Sequence, residues 1–169
     1  MKNQKGQALV ETALVIPLLL LLIMGLFEFG RAMYIKNTIN NAARAGARAA
    51  VVTPKYDVTT NPEGLQATPP GTPQSLASCG NFTAVPNSKV FQLICDSIYN
   101  GIPTNEVTAE IVTTDLDVSG GLSHGDNVNI RLTWSNFSFI TPLGPLTEMI
   151  GGSNFNPNSM IGQASMRYE

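Results

Sequence analysis

Few residues in this chain can do chemistry, and they are scattered. The one histidine, His124, stands in the turn-like run SGGLSHGD, so a Cys–His or Ser–His nucleophile would have to be built around an exposed loop residue. Cys79 has no general base near it in sequence. No phosphate-cradling glycine loop, zinc-type cysteine pairing or basic stripe interleaved with aromatics is present. We therefore expect no catalytic residue, no cofactor and no enzyme activity. One metal-like pattern exists. Asp115 to Asp126 reads DLDVSGGLSHGD, with oxygen side chains at loop positions one, three, five, nine and twelve, glycine at six and Leu122 at eight. That is close to a calcium loop, in which alternate oxygens converge on one hard cation. Its flanks read as strands rather than helices, and Asp126 is shorter than the usual last-position glutamate. A Gly-rich hairpin connection is the reading we prefer, with no metal assigned.

The remaining candidates are structural or electrostatic. Cys79 and Cys95 can form one disulfide in an oxidising compartment, closing a loop worth roughly 3 kcal/mol on the chain-entropy account. Two buried thiols are the other reading. Trp134, Phe137 and Phe139 would either stack on a glycan or fill a core, and on a strand such residues are more often core. Glu11 opens an uncharged run, TALVIPLLLLLIMGLF, that closes at Glu28. A carboxylate at the edge of hydrocarbon is costly unless paired. Its partner is either Lys5 or a lipid amine at headgroup level, or a group brought by a neighbouring subunit. Glu28 and Arg31, three apart on a helix, read as an interfacial pair of little energetic worth.

The element that must position Glu11 is a membrane-spanning helix. Sixteen helical residues rise ~24 Å, and Ala8, Leu9 and Val10 extend the apolar length toward the ~30 Å hydrocarbon thickness. A cleaved secretory signal is the rival, but it needs small residues soon after its apolar core, and AARAGARAA begins only at Ala42. Permanent anchoring is the better reading, with the anchor at about residues 8–29. Helical patterning continues to Val52, so a helix over 7–52 would run ~69 Å, and Pro17 should kink rather than end it. Phe29, Met33, Ile39 and Ala43 are expected near one face. Ala42, Gly46 and Ala50, at four-residue spacing, would let another backbone approach closely.

Residues 53–169 read as an exported head. The chain has 169 residues and a formal net charge of −2, so no electrostatic footprint for nucleic acid is present. The run over 54–87 is dense in Pro, Gly and Thr and reads as a surface loop. Ser88 is expected to cap a short helix over 88–100. Two-residue periodicity then predicts strands at about 107–118, 127–140 and 160–168. Together these give an α+β fold, in which a small antiparallel three-stranded sheet is covered by the long helix. The stretch TPLGPLTEMIGGSNFNPN before the last strand is expected to be a hairpin excursion on the membrane or a partner.

GQALVETALVIPLLLLLIMGLFEFGRAMYIKNTINNAARAGARAA resembles the amino-terminal signature of the TadE family, and the terminal ASMRYE resembles that family's last strand. The resemblance is dense over residues 6–50 and thins beyond. It implies a pilin-like component of the bacterial tight-adherence pilus machinery, cut by a prepilin peptidase. Residues 1–6 would be the leader, cleavage would fall between Gly6 and Gln7, and Glu11 would assist assembly by pairing with the new amino group on Gln7 of a neighbour. Thr12 stands where major pilins of this type usually carry tyrosine, which implies the minor-pilin or pseudopilin class. The implied partners are other pilin-like subunits, inner-membrane assembly proteins, the peptidase and membrane lipid. The implied location is the bacterial inner membrane, single-pass with the head outside the cytoplasm, or the pilus fibre. A permanently anchored adhesin or binding domain that never enters a fibre is the alternative.

Overall fold

A computed structural model describes residues 4–55, 57, 59–62, 64–66, 74–75, 87–98, 102–114, 125–138, 140, 149 and 159–168. Helix α1 spans Gln4–Val52 without a break, passing through Pro17. Contacts divide the chain into two units, Met1–Tyr34 with Ser138–Pro157, and Ile35–Phe137 with Asn158–Glu169.

In the first unit, α1 carries its apolar side chains outward. Leu14 is 74% exposed and Leu18 69%, and an 18-residue window of mean hydropathy 2.5 has none of its surface buried. Helix α1 is thus long and apolar enough to cross a membrane, and among the described residues nothing shields that window from water.

The second unit contains β1 (Gln74–Ser75), α2 (Ser88–Ile98), β2 (Val107–Thr114), β3 (Asn127–Trp134) and β4 (Met160–Arg167). The strands form one antiparallel sheet in the order β1-β2-β3-β4. Its three long strands are those expected, and the two-residue β1 adds an edge. Alternation sends Val107, Ala109, Ile111, Val128, Ile130 and Leu132 into the core and leaves the row Glu110, Arg131, Gln163 on the other face. That outer face holds a shallow concavity of about 450 Å³. Register is fixed by burial, because a one-residue slip would exchange the two rows.

The head part of α1 turns Ile35, Ile39, Ala42, Ala43, Ala47 and Ala50 into the same core. Phe29 and Met33 do not join them. They are 66% and 48% exposed. At 100° per residue all four still fall within about 120° of one another, so the angle is as expected. Phe29 and Met33 precede Ile35, the first of the head's buried apolar residues on α1. The small residues serve the head itself. A Cβ on Gly46 would stand 2.5 Å from Ile94 Cγ1 and 3.0 Å from Ile130 Cδ1. The close backbone approach falls elsewhere, at Gly162 on β4, whose Cβ would lie 2.5 Å from Ile39 Cγ2 and 2.8 Å from the Ile39 carbonyl carbon. A helix backbone cannot yield as a side chain can. Gly162→Ala is therefore expected to destabilise the head by about 1–3 kcal/mol, read as a lowered urea midpoint for the full chain in detergent.

Two boundaries differ from expectation. Ser88 does not cap α2, since Asn87 occupies that position, its carbonyl accepting from Phe91 N at 2.9 Å. The φ of Asn87 is 66°, a conformation asparagine tolerates better than most residues, and its side chain accepts from Gln66 N at 2.8 Å. Ser88 Oγ is left buried with no hydrogen-bond partner. Strand β3 ends at Trp134 instead of running to 140. Ser135 N makes a last cross-strand bond to Glu106 O at 3.2 Å, and Phe137 then packs edge-on against Trp134 with centroids 5.6 Å apart. The Pro- and Gly-rich segment also contributes to the core. Leu65 is 1% exposed, pinned by Leu65 N to Pro54 O at 2.8 Å and a bridge to Lys55. Residues 99–100, 115–118 and the stretch 141–148 and 150–158 lie outside the described residues.

Candidate functional site

The residues expected to be processed and to assemble sit together at the start of α1. Gly6, Gln7 and Glu11 are all exposed, and the helix runs through the Gly6–Gln7 bond. A Cβ at Gly6, Gly25 or Gly30 would meet nothing within 4 Å. Each glycine weakens the helix by ~1 kcal/mol relative to alanine, with no compensating contact among the described residues. Gly46, by contrast, is required by its own core. Glycines without internal cause in an exposed apolar helix suit close approach by something external, a neighbouring helix or an enzyme. Glu11 makes no ion pair among the described residues. Thr12 satisfies its hydroxyl internally, donating to Ala8 O at 2.8 Å.

At the other end of the apolar run stands a polar cluster that spacing alone undervalued. Glu28 is 2% exposed, so it is no interfacial ornament. Arg31 Nε donates to Glu28 Oε2 at 3.0 Å, and Ile140 N donates to Glu28 Oε1 at 2.7 Å. Arg31 Nη2 also donates to Ser138 O. Both carboxylate oxygens are occupied, and the guanidinium reaches the backbone two residues from Ile140. These charge-assisted bonds fasten residues 138–140 to α1. The i, i+3 spacing disclosed the ion pair. No local pattern could disclose its backbone partners more than a hundred residues away.

The other expected sites fall out as follows. Cys95 is buried on α2 and disulfide-bonded. The chain's other cysteine, Cys79, lies outside the described residues. His124 and the loop residues 115–124 lie outside them too, and Asp126 is 1% exposed. Among the described residues no three His, Cys, Asp or Glu side chains converge on a point. Trp134 and Phe137 are 6% and 2% exposed, and Trp134 Nε1 donates to Glu106 Oε2 at 2.8 Å. They are core, with the indole N–H satisfied, and not a platform for sugar. Phe139 lies outside the described residues.

Residues 6–48 match the family described as TadE-like protein, so the amino-terminal segment carries that family's signature. The match covers the exposed apolar part of α1 and most of its head part, and stops short of the sheet. No curated protein and no solved structure matches the chain.

Proposed function

We propose, from the TadE-like match over residues 6–48, that this chain is a non-catalytic, pilin-like subunit of a Tad-type pilus system, of the minor-pilin or pseudopilin kind. The observation that carries the reading is the wholly exposed apolar window of α1 within the matched segment. A surface of that size needs lipid before assembly and other helices after it. In this reading the helix anchors the chain in the inner membrane with its amino terminus inside and the head outside. A prepilin peptidase then cuts between Gly6 and Gln7 and creates the amino group that neutralises Glu11 of an adjacent subunit. Cleavage couples the two events, because the carboxylate is costly in hydrocarbon until that partner exists. A bridge between Cys79 and Cys95 would stiffen the head after export.

Glu11→Ala separates anchoring from assembly. Removing an intramembrane charge leaves insertion intact or improved, while the lost partner weakens entry into the fibre. Membrane fractions should hold wild-type amounts of the variant, and co-purification with other pilin-like subunits should fall by about tenfold or more, as expected for loss of one pairing worth at least ~1.4 kcal/mol. Unchanged pilus output together with unchanged co-purification would remove Glu11 from assembly.

A further inference from the structure

The outward face of α1 in the head unit has a composition that its own fold does not require. Asn37, Asn41, Arg44, Arg48 and Val52 are exposed and recur at three- and four-residue spacing, opposite the buried stripe. Arg44 and Arg48 stand one turn apart with like charge, an arrangement that repels on a helix. Among the described residues neither makes an ion pair or a side-chain hydrogen bond. Residues 29–52 hold Arg31, Lys36, Arg44 and Arg48 and no acid, whereas residues 53–169 hold ten acids against four bases. Arg31 is spent on Glu28, and Lys36 Nζ donates to Ile161 O. Among the described residues the two arginines are what remains of that segment's positive charge.

We propose that the Arg44–Arg48 stripe is a docking surface for the acidic head of a second copy of this chain, in a head-to-tail contact. Charge complementarity within one sequence supplies the argument: a basic helix face and an acidic remainder attract between copies. Exposed carboxylates are available to meet it. Asp57 Oδ1 accepts from Thr59 Oγ1 at 2.6 Å, Thr59 N at 2.8 Å and Thr60 N at 2.9 Å, which fixes the group in place. The Thr59 hydroxyl, with the Thr60 and Thr59 amides, holds its carboxyl well below the usual range, so the charge persists at acidic pH. Asp96 is exposed on α2. Anionic lipid is the poorer occupant. Arg44 and Arg48 follow Ile35, the first core residue of the head, by nine and thirteen positions, ~14 and ~20 Å along the helix, beyond the ~8 Å over which surface charge acts in physiological salt. Two different patches joined in this way make a heterologous contact rather than a two-fold dimer. The inference rests on the assembly reading for its setting.

The test uses the purified full-length chain in non-ionic detergent, carried as two differently tagged copies. One tag is captured and the other measured, at low and at high salt. Co-recovery should be present at low salt and fall severalfold at high salt. It should fall as far in Arg44→Glu/Arg48→Glu, and in Arg44→Gln/Arg48→Gln, whose melting temperature should match the wild type. Mixing the glutamate variant with an Asp57→Lys/Asp96→Lys copy should restore it. Co-recovery indifferent to charge reversal, absent at low salt, or dependent on added anionic phospholipid would overturn the proposal. Each of those results leaves the in-cell outcome of Glu11→Ala untouched, so the two readings fail separately.

Discussion

A chain that begins at Ile35 is expected to fold cooperatively in water, and one that begins at Pro54 is not. The head part of α1 is a wall of the core rather than a stalk beneath it. Removing it takes away Ile35, Ile39, Ala42, Ala43, Ala47, Ala49 and Ala50, all buried, and uncovers Ile94 and Ile130 where they meet Gly46. Two isoleucines and five alanines correspond to roughly 8 kcal/mol of burial at the usual worth of a buried methyl or isoleucine side chain. That is comparable with the whole stability of a small domain, ~5–15 kcal/mol. The single tryptophan, Trp134, is 6% exposed and reports the difference directly. Urea titration followed by its fluorescence should give a sigmoidal transition for residues 35–169 and a sloping line for residues 54–169. A cooperative transition in the shorter fragment would show that the sheet and α2 hold a core without α1.

The second large effect is expected at Glu28. Glu28→Ala removes both carboxylate oxygens, leaving the Ile140 N–H without its acceptor and Arg31 without its counter-charge. Breaking a buried pair on one side costs about 3–5 kcal/mol. At ~1.4 kcal/mol per factor of ten, even 3 kcal/mol raises the open population of residues 138–140 on α1 by roughly 100-fold. Cleavage of a transiently opened segment follows that population when opening is fast. Limited proteolysis of the full chain in detergent should therefore cut near Ile140 far faster in Glu28→Ala, while the urea transition reported by Trp134 changes little. Equal cleavage rates would mean that the carboxylate does not fasten the segment.

The long helix, the three strands and α2 were legible because each rests on a local pattern: an apolar run, a period of two, an amphipathic turn. Features set by distant contact were not. Spacing showed that Glu28 could reach Arg31, yet the value of the pair depends on Ile140 and Ser138, which no periodicity links to α1. The small residues at 42, 46 and 50 signalled close approach correctly and the partner incorrectly, since Gly46 receives the side chain of Ile94 and the tight backbone contact belongs to Gly162. Phe29 and Met33 misled for a related reason. An apolar residue at the edge of an anchor serves the surroundings of the helix, and the apolar residues ten positions later, Ile39 and Ala43, serve a core. Ser88 had the chemistry of a cap, but the left-handed backbone and side-chain reach at that corner are met by Asn87. At the amino-terminal site the residues were readable from their order alone. What the structure adds is that Gly6, Gly25 and Gly30 have no packing reason among the described residues.

Maturation at Gly6 is the central step of the proposed function, and mapping the amino terminus of protein recovered from cells tests it most directly. Protein from membranes and from sheared surface fibres should begin at Gln7, and Gly6→Val should hold it in the unprocessed form by placing a β-branched side chain where, in the proposed function, a prepilin peptidase would need the bare backbone. An intact Met1 on the mature protein in both fractions would contradict the account.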